Sequence, residues 1–159
     1  MTTALVADLI LVVFALTVMT TDWRWQRIPN VVTYPTMAIG LVLAAFESLP
    51  GEILRGGLLD HVVATLGVLV LLFPLYNMRA MKAGDVKLLM SVGALKGVVF
   101  LFWAFVYGAV IGGVVALVYL AVQRLLRGRR LDELLRTFIP YGVSLALGAL
   151  VALAVGVAR

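Results

Sequence analysis

Asp22 and Asp85 are the two side chains in this sequence best placed to do chemistry. Asp22 lies in "TDWRWQRIPN" (21–30) and Asp85 in "AMKAGDVKLLM" (80–90), each a polar interruption between long apolar runs. Two carboxylates held in one site do not both ionise easily, so one stays protonated. Such a pair supplies a base and an acid together. The ionised member draws a proton from water while the protonated member polarises a carbonyl. That is amide hydrolysis with neither metal nor thiol. The composition points the same way: the chain has no cysteine, and its single histidine, His61, cannot build a histidine metal cluster alone. Disulfides, thiolate catalysis and cysteine–zinc sites are excluded, and no cofactor or metal is expected. The plainer reading of both acids is ion pairing at a membrane interface with Arg24, Arg27, Lys82 or Lys87.

The other six acids suit simpler roles. Asp132 and Glu133 lie among arginines and read as solvated ion pairs. Glu47, Glu52 and Asp60 sit in or beside one loop. Asp8 lies one or two turns into the first apolar run and is expected to turn outward or cap a helix contact.

The elements that must position the pair are helices in lipid. Of 159 residues, 64% are hydrophobic and 13% charged. Soluble domains are about half apolar and about one quarter charged. This is the composition of an integral membrane protein, and the length fits a single domain over 1–159. The N-terminal stretch "MTTALVAD" has no positive charge and reads as the start of a retained span, not a cleavable signal. Apolar runs fall at 4–20, 31–46, 58–76, 86–122 and 139–157. The run 86–122 is too long for one crossing, and Lys96-Gly97 supplies a turn within it. The expected fold is therefore all-α with six transmembrane helices.

The charges orient that frame. Segments 21–30, 77–87 and 123–138 share one side and hold 10 of the 13 Lys and Arg residues. By the positive-inside rule this side is cytoplasmic, and the N- and C-termini lie outside. The net charge of +5 thus marks cytoplasmic loops and implies no nucleic-acid partner. The segment 123–138 reads as a short amphipathic cytoplasmic helix or loop. With a turn at Lys96-Gly97, the helix that Asp85 opens has only about ten apolar residues, roughly 15 Å. Either that helix ends inside the protein or Asp85 lies below the membrane surface, and both put Asp85 in a shielded site.

Local sequence supports the pairing. Pro29 fixes the entry to the second helix and Asn30 is a good N-cap, so a short connection keeps Asp22 near that helix. Gly84 permits close backbone approach or an unusual φ beside Asp85. Lys87 points to a different helix face, suited to lipid phosphate or snorkelling, or to assisting Asp85.

These stretches resemble a known family. "D-x4-RIPN" after the first span, "AGDVKLL" opening the fourth and "IPYGVSLALGAL" (139–150) opening the last are similar to type IV prepilin peptidases. These are membrane aspartic peptidases whose second aspartate lies in a GxGD motif. The resemblance covers essentially the whole chain. It implies a prepilin or pseudopilin substrate, cut between its basic leader and its apolar helix at the cytoplasmic face of the inner membrane. It implies Asp22 and Asp85 as the catalytic pair and Gly84 as a support for Asp85. Pro29, Asn30, Pro140 and Tyr141 would be structural supports. The first glycine of the motif is Lys82 here, so a backbone that required glycine would be strained. Longer members carry paired CxxC motifs and also methylate the new N-terminus. With no cysteine, this chain resembles the short, peptidase-only form of tight-adherence (Flp) pilus systems. The alternatives are a small transporter or channel, or an inactive assembly partner of a pilus or secretion system. Oligomeric state is not legible.

Overall fold

A computed structural model describes residues 2–47, 57–78, 81–127 and 141–157. The described chain is all-α, with five helices: α1 Thr2–Trp25, α2 Asn30–Glu47, α3 Leu58–Asn77, α4 Ala83–Arg127 and α5 Tyr141–Ala154. Segments α1, α3 and α4 are long and apolar enough to cross a membrane; α2 and α5 are shorter apolar helices. Segment α4 runs on to Arg127, so the basic segment expected at 123–138 begins as a continuation of that helix. The rest of it, with Asp132 and Glu133, lies outside the described residues, as do Pro140, Glu52 and Arg55.

The burial pattern is that of a protein whose solvent is lipid. Leu9, Val13, Leu71, Phe102 and Leu117 are exposed, while Thr33, Ser91, Thr65 and Ser144 are buried. The hydroxyls of Thr33, Thr65 and Ser91 bond to backbone carbonyls, which satisfy them where lipid cannot. Ser91 Oγ donates toward the Thr33 carbonyl on α2 at 3.0 Å and the Lys87 carbonyl at 2.9 Å. Leu11, Val18, Leu88, Val92, Phe100 and Leu145 form the centre of the core. Helix α4 is the hub: α2, α3 and α5 all pack on it, and α5 also packs on α1. Gly148 of α5 meets Gly108 and Ala104 of α4 backbone to backbone, an approach that larger residues would block.

Helix α4 is broken at Gly97, where φ is 76° and ψ is −175°. This is the turn expected at Lys96-Gly97. In a straight helix Leu89 and Phe105 would stand about 24 Å apart, yet both line one apolar hollow of about 350 Å³ with Val68 and Leu72. The second limb thus folds back beside the first. The groups freed by the break find partners on α3. Asp60 accepts from the Val98 N–H at 3.1 Å. The His61 Nδ1–H donates to the Ala94 carbonyl at 2.8 Å.

Beside the break, Lys96 Nζ lies 2.7 Å from Asp8 Oδ1 in a mostly buried ion pair. Of the two roles expected for Asp8, turning outward or serving a helix contact, the structure shows the second: Asp8 turns inward and ties α1 to α4. An outward Asp8 would leave the Lys96 ammonium unpaired among apolar neighbours, which is more costly than burying the pair.

Only glycine fits position 97. A Cβ there would collide with Asp60 Oδ2, and a side chain in this positive-φ, extended region costs about 1–3 kcal/mol. Gly97→Ala is expected to destabilise the protein by at least that amount. Thermal unfolding in detergent checks this, and an unchanged midpoint would show that glycine does not hold the break.

Candidate active site

Asp22 occupies the last turn of α1, and Asp85 the first turn of α4. The fold brings them together. Both line one polar hollow of about 270 Å³, with Gln26, Arg27, Ile28, Asn30, Lys82, Ala83, Gly84 and Lys87. Asp22 is 2% exposed and Asp85 4%, so neither is a solvated surface acid. The two are close enough to feel each other's charge. Asp85 is thereby in the shielded site expected from the shortness of its helix.

Each carboxylate meets the N-terminal end of a helix. The Lys82 carbonyl accepts from the N–H groups of Asp85 at 3.1 Å and Val86 at 3.3 Å, so Lys82 is the cap of α4. Asp85 is then the third residue of the helix, and its side chain reaches back to the Lys82 amide. That reciprocal arrangement is half of a capping box. Asp22 is met by α5: the Val143 N–H donates to Asp22 Oδ2 at 3.2 Å. Amides at a helix start have no partner within their own helix and carry the positive end of its dipole, so they favour a carboxylate.

Gly142 makes the second contact possible. A Cβ on it would stand 2.7 Å from Asp22 Oδ2 and 3.1 Å from Ile28 Cδ1. This residue was missed at the sequence level. Its signal was the glycine in the first turn of an apolar helix, within the quoted stretch 139–150.

The expected supports divide. Gly84 provides space and has no unusual φ; a Cβ there would lie 3.3 Å from the Ile28 Cβ, so the loop after α1 closes onto the start of α4. Asn30 is not the cap it was expected to be. The Pro29 carbonyl accepts from Val32 at 3.1 Å and Thr33 at 3.3 Å, which moves the cap back one residue. The Asn30 carboxamide oxygen instead accepts from Lys87 Nζ at 2.8 Å. Lys87 also lies over the Tyr34 ring at 5.0 Å, so it joins α4 to α2. Arg24 stacks over Trp25 at 5.7 Å. Tyr141 is the first residue of α5 and is exposed.

Lys82 is not strained. Among the described non-glycine residues only Gln26 has a positive φ, 51°. As the cap of α4, position 82 does not call for glycine.

An all-helical chain with three helices long and apolar enough to cross a membrane, and two buried acids at helix ends, has the build of a membrane protein. The sequence model of the type IV leader peptidase family matches residues 9–117, and the chain belongs to that family. Membership implies an aspartic protease acting on prepilins. The match includes Asp22 and Asp85 and stops before α5. No curated protein and no solved structure matches the chain.

Gly142→Ala adds a methyl group where the Asp22 carboxylate sits. A displacement approaching 1 Å near reacting groups can cost about a hundredfold in rate. The variant is expected to insert normally and to lose leader-peptidase activity on that scale; full activity would show that Asp22 does not need this seat.

Proposed function

We propose that this chain is a prepilin leader peptidase of the cytoplasmic membrane, using Asp22 and Asp85 as its catalytic pair. The observation that carries the proposal is the burial of both carboxylates in one polar hollow where α1 ends and α4 begins. One carboxylate takes a proton from water as the water oxygen attacks the scissile carbonyl. The protonated partner gives its proton to the carbonyl oxygen, forming a neutral gem-diol. As the carbon–nitrogen bond breaks, the nitrogen leaves with a proton from the acid newly formed, and the remaining diol proton restores the other carboxyl group. One water is consumed and the pair is regenerated. With no cysteine in the chain, the proposal covers hydrolysis and not N-methylation.

The surroundings suit a substrate that is polar on one side of the cut and apolar on the other. A second hollow of about 300 Å³ is lined by Tyr34, Met37, Leu69, Phe73 and Met90. It shares Ala83 and Lys87 with the polar hollow. A peptide crossing the carboxylates can therefore continue onto an apolar surface between α2 and α3, as the helix of a prepilin would. The leader, being basic, gains nothing from the arginine-rich loops, so this apolar side supplies the docking energy.

The frame we propose has six spans, with α4 contributing two through its break at Gly97 and both termini outside. The basic loops, and with them the carboxylates, then face the cytoplasm. That is where the junction between leader and membrane helix of a prepilin lies.

Asp22→Asn and Asp85→Asn test the pair. Each is expected to insert into the membrane and to abolish removal of the leader from a co-expressed prepilin, seen as a missing mobility shift on a gel. Normal processing by either variant would overturn the assignment.

A further inference from the structure

Lys82 stands where the family motif has glycine. Its surroundings give it a task that the two carboxylates do not perform. Helix α1 ends at Trp25, and the next residue, Gln26, is left-handed with φ 51°. The Gln26 N–H donates to the Asp22 carbonyl at 2.9 Å, so the turn that closes α1 is built on Asp22 itself. Glycine is the usual residue at such a helix end, because a Cβ makes the conformation unfavourable. Here the turn carries glutamine. Its carbonyl accepts from Lys82 Nζ at 3.1 Å.

Lys82 is also the cap of α4, bonding through its carbonyl to the Asp85 N–H. One side chain thus ties the residue that ends the helix of Asp22 to the start of the helix of Asp85. Two residues beyond Gln26, Ile28 packs against Gly84, so the turn lies directly on α4.

We infer that Lys82 is a positioning residue whose ammonium clips the left-handed turn at Gln26 onto the start of α4, and so sets the spacing of Asp22 and Asp85. A charged donor is a strong holder of a carbonyl, and it offsets the intrinsic tendency of Gln26 to leave the left-handed region. In this chain the lysine does at a distance what a glycine at the turn would do locally. The catalytic consequence rests on the peptidase reading; the clip itself does not.

Two measurements on protein in lipid vesicles test it. The first is steady-state cleavage of a synthetic prepilin peptide. The second is the rate of trypsin cutting at Arg27, read by mass spectrometry, which reports whether the turn is held. Lys82→Met is expected to lower kcat about tenfold, the scale of a slight misplacement, with KM little changed, and to speed the cut at Arg27 several-fold. Lys82→Arg keeps the donor and stays near wild type in both. In the Lys82→Met background, Gln26→Gly is expected to recover much of both losses, because glycine holds the turn unaided.

The inference fails if Lys82→Met leaves the Arg27 cut unchanged. It also fails if the kinetic loss lies wholly in KM, which would mean direct contact with substrate. It fails again if Gln26→Gly recovers nothing, which would assign Lys82 to its charge beside Asp85. If the wild-type protein cleaves no prepilin peptide, the peptidase reading falls, while the trypsin result still decides on the clip.

Discussion

Two carboxylates with almost no exposure must be held in one place by a protein that turns its apolar side chains outward. Burying a charge is costly unless it is paired or hydrogen-bonded. The fold meets that demand with backbone amides. The Asp85 carboxylate turns back to the Lys82 amide at the start of α4, and Asp22 is met by the start of α5. Helix starts carry unsatisfied N–H groups and a partial positive charge. The rest of the arrangement follows from aiming two helix starts at one hollow. Gly142 is small so that α5 can reach Asp22, and Gly84 is small so that the loop after α1 can lie on α4.

The opposite end of the first limb of α4 is fixed with equal care. The first limb, 83–96, rises about 21 Å and then stops at Gly97. Asp60 and His61 take up the backbone groups freed there, and Asp8 neutralises Lys96. The limb that carries Asp85 is thereby clamped at both ends: by polar contacts at the break, and by Lys82 and Lys87 at the start. A short, clamped helix is a rigid mount, which suits a reaction sensitive to small displacements.

What was legible in the sequence was whatever an apolar chain makes conspicuous. Charge in a hydrophobic run is expensive, so Asp22 and Asp85 stood out, and Lys96 beside Gly97 marked the break. Contacts set by packing were not legible. The seat for Asp22 comes from Gly142, far along the chain, and no local pattern announces which acid a helix start will meet. Asn30 has the chemistry of a cap, but Lys87 from α4 claims its carboxamide and Pro29 takes the capping position. Asp8 has no sequence neighbour that foretells Lys96. Lys82 looked like a defect because the family motif has glycine there, yet the left-handed residue is Gln26. The acids and arginines of 128–140 lie outside the described residues.

The central claim is that Asp22 and Asp85 act as one unit that holds a single proton at the working pH. The pH dependence of kcat for leader cleavage by the protein in lipid vesicles tests it most directly. A shared proton requires a bell-shaped profile. Activity falls on the acid side as the second carboxylate is protonated and the base is lost. It falls on the alkaline side as the shared proton leaves and the acid is lost, and the two limbs belong to the pair rather than to either residue. A profile with a single limb, or one that stays flat across the range in which the pair titrates, would contradict it.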